Sequence, residues 1–112
     1  MDWCFYETKD GTKPVGVQLG RLEGYDRDAA FAAINDVRES GLAAVSEQDP
    51  ATGIYLTEAE TSRTVIRLYF ALAECDDPRC YRALQIVRMR LPSPIADYTE
   101  AGRRLKDWCS RH

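Results

Sequence analysis

Histidine is almost missing from this 112-residue chain, since the one present, His112, is the last residue. That scarcity removes the commonest general base and the commonest neutral metal ligand, so a Ser-His or Cys-His nucleophile has no supply. Long apolar runs are missing too. None approaches the roughly 20 residues that span a bilayer, and the acidic opening Met1-Asp2-Trp3-Cys4 lacks the basic and apolar regions of a signal peptide. The expectation is a cytoplasmic protein without a membrane span. Gly16, Gly20 and Gly24 are spaced by four ahead of a helix, but no Lys-Ser/Thr follows them, so they do not make a phosphate loop.

Cysteine is sparse and poorly spaced for a metal. Cys75 and Cys80 form a Cys-x4-Cys at the loose end of zinc spacings, while Cys4 and Cys109 stand alone. Four free thiols, no metal and no cofactor are expected, with a Cys75–Cys80 disulfide as the alternative. Asp76 and Asp77, side by side before Pro78, read as turn formers rather than as a catalytic pair. No catalytic residue is assigned.

What remains is globular in composition, 45% hydrophobic and 29% charged, and 112 residues suffice for one domain, 1–112, that folds alone. The net charge of −3 is unevenly spread. Residues 1–56 hold five basic and ten acidic groups, whereas 57–112 hold ten and eight. Arginine outnumbers lysine twelve to three, which suits bidentate contacts to carboxylate or phosphate.

The most apolar stretch is 64–91, two Arg-bearing runs, 64–74 and 81–91, joined by a polar link from Cys75 to Cys80. A strand pair closed by that link places Cys75 opposite Cys80, Leu72 opposite Ala83, Phe70 opposite Gln85, Leu68 opposite Val87, Ile66 opposite Met89 and Thr64 opposite Leu91. Arg67, Arg82, Arg88 and Arg90 then share the other side, with Arg67 and Arg88 opposed, so an acidic group is expected over them. A helix over 58–75 is the alternative, because Thr57 and Glu60 have capping-box spacing and Val65, Leu68, Tyr69 and Leu72 form a stripe.

Upstream, Asp10-Gly11 between the alternating runs 3–8 and 14–22 predicts a β-hairpin, with Pro14 opening an edge strand and Trp3 and Phe5 on one face. A helix is predicted over 26–40, capped by Asp26 and stopped by Gly41. Short strands follow at 42–47 and 54–57, and helical spacing from Ile95 to Cys109 predicts a terminal helix. The fold class is therefore α+β, an antiparallel sheet with two helices packed on one face. If 58–75 is helical, it becomes an N-terminal β-hairpin on a helical bundle.

Three function classes fit. The first is a small non-enzymatic interaction domain, acting as inhibitor, immunity protein or adaptor by covering a partner's surface. It would use Arg67, Arg82, Arg88 and Arg90 toward an acidic protein, with Trp3 and Phe5 as aromatic anchors and Tyr25 and Tyr55 as further candidates. The second is nucleic-acid binding through the arginine face and the basic last helix. The third is a small-molecule-binding or enzymatic α+β domain.

Overall fold

The centre of the molecule is a strand buried along its whole length. In the computed structural model, which describes residues 1–112, all eight residues of Thr64–Ala71 are buried. Such a strand is covered on both faces, so it reads as a continuous apolar run of β-branched and aromatic residues rather than an alternating one. In chain order the elements are β1 (Trp3–Phe5), α1 (Pro14–Arg21), α2 (Gly24–Ser40), a 3-10 turn (Gly41–Ala44), β2 (Glu47–Gln48), β3 (Tyr55–Glu60), β4 (Thr64–Ala71), β5 (Tyr81–Arg90) and α3 (Thr99–Arg111). They form one five-stranded sheet of order β1-β5-β4-β3-β2. The α+β architecture and the central strand pair are as the sequence predicts, and 58–75 is not a helix.

Helices cover both faces of the sheet rather than one. Val15 and Leu19 of α1 and Ala30 of α2 pack on Ile66, Leu68, Ala83 and Ile86, and Val37 of α2 packs on Phe70 and Tyr81. Ala101 and Trp108 of α3 pack on the other side, against Tyr6, Ile54, Leu56, Tyr69, Ala71 and Leu84. The reason lies in β4, whose two sides are both apolar and would each lose about 1.5–3 kcal/mol per large side chain if left in water. One helical layer cannot serve both.

The N-terminal hairpin does not form. The chain does turn at Gly11, which has φ 91°, with the Gly11 amide donating to the Thr8 carbonyl at 3.0 Å. Beyond it, however, 14–21 is helical. Pro14 occupies the first turn, where its missing amide costs nothing, and Val15 and Leu19, four apart, bury one side while Val17 stays exposed. Left without that partner, β1 pairs in parallel with β5, Trp3 opposite Tyr81 and Phe5 opposite Ala83, so the antiparallel sheet carries one parallel edge.

In β4–β5 the register is one residue from the predicted one. Thr64 lies opposite Arg90, Arg67 opposite Val87 and Tyr69 opposite Gln85, after which Phe70 lies opposite Ala83 and Ala71 opposite Arg82. Leu84 is therefore an extra residue, a bulge. The slip by one exchanges the faces of the strands relative to each other, and the bulge exchanges them again beyond Leu84. Arg67 and Arg88 are consequently not opposed.

Smaller differences follow from local chemistry. Helix α2 starts at Gly24 and ends at Gly41 with φ 63°, but Asp26 lies in its first turn instead of capping it. The predicted strand at 42–47 is mostly the 3-10 turn, leaving two residues of β2. Residues 92–98 run as an irregular strap before α3, where the Asp97 carboxylate accepts the Thr99 amide at 2.9 Å. No helix is long and apolar enough to cross a membrane.

Candidate partner-binding surface

The four arginines predicted to share a face are divided between two. Arg67 and Arg82 project toward α3, while Arg88 and Arg90 project toward the α2 side, and each of the first three meets an acid of the same chain.

Arg67, 6% exposed at the middle of β4, is fully engaged. Its Nε donates to Glu58 Oε2 at 3.1 Å across the β3–β4 pair, its Nη2 to the Pro94 carbonyl at 2.6 Å and to Ser93 Oγ at 3.2 Å, and its Nη1 to Met89 Sδ at 3.5 Å. A guanidinium is suited to this because it presents five donors in a fixed fork. Its effect is to tie the strap 92–98 down onto the sheet.

Arg82 makes a two-pronged contact with Asp76, Nε to Oδ2 at 3.1 Å and Nη2 to Oδ1 at 2.9 Å, and donates from Nη1 to the Phe5 carbonyl at 2.8 Å. Its guanidinium lies 4.0 Å from the centre of the Trp108 ring, and Trp108 Nε1 donates to Asp76 Oδ1 at 3.0 Å. Asp76 thus joins the β4–β5 loop to β5 and α3, and Arg82 carries the tie on to β1. Burial works against the Asp76 carboxylate, yet the hydrogen bonds from Arg82 and Trp108 outweigh it and hold its pKa below the usual range. Asp76 is a structural hub, a role its place in a turn sequence did not suggest.

Arg88 reaches Asp26 in the first turn of α2, whose other oxygen accepts Thr64 Oγ1 at 2.6 Å. These two hydrogen bonds, Thr64 first and Arg88 second, lower the pKa of Asp26. About half of the Arg88 side chain remains in water. Arg90 is exposed and joins no ion pair, and the same holds for Arg63 in the β3–β4 turn, whose carbonyl accepts the Leu91 amide at 2.9 Å.

Beside Arg63 and Arg88 lies an open cleft of about 640 Å³ between the start of α2 and the β3–β4 turn. Tyr25, Asp26, Glu60, Arg63, Thr64 and Arg88 line it, and Tyr25 is 85% exposed. Arg63 belongs to this surface and was not foreseen. The only signal for it was a charged residue in the turn Thr61-Ser62-Arg63 between two strands.

Trp3 and Phe5 lie elsewhere, half-buried between the sheet and the α1–α2 layer. Trp3 sits edge-on to Phe70 with ring centres 4.9 Å apart, and its Nε1 donates to the Ile34 carbonyl at 3.1 Å. Together with Val15, Leu19, Phe31 and Ile34 the two aromatics enclose a small apolar cavity of about 80 Å³. Their rings are not brought together with the arginines, of which only Arg82 reaches this strand, at the Phe5 carbonyl. No three of His, Cys, Asp and Glu converge as metal ligands. Set beside family models, curated proteins and solved structures, the chain matches none of them.

Proposed function

We propose that this chain is a small protein-interaction domain, acting as an inhibitor, immunity protein or adaptor, that covers a partner's surface with the end of its sheet where Tyr25, Arg63, Arg88 and Arg90 meet. The observation that carries the proposal is Tyr25, 85% exposed on the lip of the cleft beside Arg63, which joins no ion pair, and the half-exposed Arg88. Tyrosine and arginine dominate binding hot spots because each brings a large contact area with a polar end at modest entropic cost. An exposed tyrosine at a helix start, flanked by the unpaired Arg63 and the half-exposed Arg88, suits a partner carrying carboxylates around an apolar depression.

Proteins captured from the native cell by the tagged wild-type chain and by Tyr25→Ala, Arg63→Ser and Arg90→Ser variants provide the test. A partner lost from Tyr25→Ala and from one of the arginine variants, but retained by Trp3→Phe, supports the reading. Capture of nucleic acid instead, weakening by similar steps at each arginine and with a steep salt slope, would transfer the surface to phosphate recognition. A partner unaffected by all three variants would place the interface elsewhere.

A further inference from the structure

The four cysteines are not scattered. They fall into two pairs, and neither is the pair adjacent in sequence. Cys4 in β1 stands opposite Arg82 in the parallel register, and Cys80 ends the β4–β5 loop immediately before β5, two residues before Arg82. The Cys80 thiol donates to Asp76 Oδ2 at 3.6 Å and has the Cys4 thiol as a neighbour. At the other pair, Cys75 and Cys109 pack against the same apolar cluster, which includes Ala73 and Trp108, and their thiols are neighbours. The bond from Trp108 Nε1 to Asp76 Oδ1 holds this second pair in place, because Asp76 follows Cys75 and Trp108 precedes Cys109. All four are free thiols in this structure.

The geometry points to two oxidative modification sites, a Cys75–Cys109 disulfide and a Cys4–Cys80 disulfide, which fasten α3 and β1 to the β4–β5 loop. The oxidant is a peroxide or a small-molecule disulfide. Each protein disulfide forms as two thiols give up two protons and two electrons, reducing one hydrogen peroxide to two waters or one small disulfide to two thiols. Cys75–Cys109 closes first, since both residues are part-exposed whereas Cys80 is 6% exposed. Burial, followed by the neighbouring thiol, pushes Cys75 up to about 11 and Cys80 up to about 12, so the attacking thiolate is scarce at neutral pH and oxidation accelerates toward pH 9.

Oxidation of the folded chain with oxidised glutathione or hydrogen peroxide, then alkylation and tryptic mapping without reduction, tests this directly. Cleavage after Arg79 separates Cys75 from Cys80, so the linkages are distinguishable. Cross-linked peptides joining 75 to 109 and 4 to 80 are expected, with a rise in Tm of roughly 10 °C or more that reductant reverses. In Cys109→Ser, Cys75 should stay alkylatable while the 4–80 linkage still forms. A 75–80 linkage, cross-links only between chains, or four alkylatable thiols after an exposed control thiol has been consumed would each overturn the pairing.

Discussion

Arg82 and Arg90 lie eight residues apart on one strand, yet the first is enclosed by an aspartate, a backbone carbonyl and an indole ring while the second stands free in water. In a regular strand both would face the same way. The Leu84 bulge turns Arg82 to the α3 side and leaves Arg88 and Arg90 on the side of α2, so one extra residue separates a structural arginine from an available one. Residue type alone therefore does not report function here. What separates the two is whether an acid of the same chain can reach.

The comparison breaks first at the buried pair. With the Arg82 and Asp76 side chains only 11% and 6% exposed, removing one partner strands the other charge away from water. Asp76→Ala and Arg82→Ala should each lose about 3–5 kcal/mol in urea unfolding. A loss below 1 kcal/mol would mean that the site takes up water and is not a clamp. Nearly as large is the truncation of the strand core, where Leu68→Ala on the α2 face and Leu84→Ala on the α3 face should each cost about 2–5 kcal/mol. Similar costs are expected because both faces are covered, and a negligible cost at Leu84 would break the two-sided arrangement.

Acid should expose the same division. Asp76, Asp26, Glu100 and Asp107 all have pKa values below the usual carboxylate range, Asp76 through Arg82 and Trp108, Glu100 through Arg103 and Asp107 through Arg111. A depressed folded-state pKa means that the unfolded chain binds more protons, so the stabilisation is complete above the unfolded value near about 4 and is lost as pH falls through the folded one. Stability should thus be level from neutral pH to about 5 and fall steeply below about 4. Asp76→Asn, measured by thermal unfolding across that range, should begin less stable and show a shallower acid slope than the parent. An unchanged slope would show that Asp76 does not carry the linkage.

How much of this was legible follows from the kind of signal each feature leaves. The β4 and β5 runs could be read because a doubly covered strand is apolar throughout, and the stop of α2 could be read because Gly41 adopts a positive φ. The segment Pro14-Val15-Gly16-Val17-Gln18-Leu19 satisfies an alternating and an i, i+4 pattern at once. Tertiary packing of Val15 and Leu19 chose the helix. Register was hidden because a bulge has no composition of its own, and it decided which way every arginine points. Of the three acidic partners, Glu58 and Asp76 lie 9 and 6 residues from their arginines, but Asp26 is 62 residues from Arg88, a contact that only the packing of α2 on the sheet creates. The tyrosine of the proposed surface was visible as an aromatic beside a helix start, and its isolation in water was not.

The smallest stability effects belong to the open surface, where the function is proposed to lie. Arg88→Ala removes a half-exposed ion pair and should cost about 0–1 kcal/mol, and Arg90→Ser, with no pair to lose, should fall within about 0.5 kcal/mol of the parent in urea. Against an acidic partner the order should reverse. Arg90→Ser and Arg63→Ser should slow association and flatten its dependence on ionic strength, because free surface guanidinium groups steer approach over about a Debye length, while Tyr25→Ala should chiefly hasten dissociation. Surface plasmon resonance at two salt concentrations separates these effects, with Arg82→Ala excluded because a destabilised clamp would confound the binding rates. If Arg90→Ser leaves both rates and the salt slope unchanged, that arginine is free because nothing needs it, and its contrast with Arg82 becomes one of packing alone.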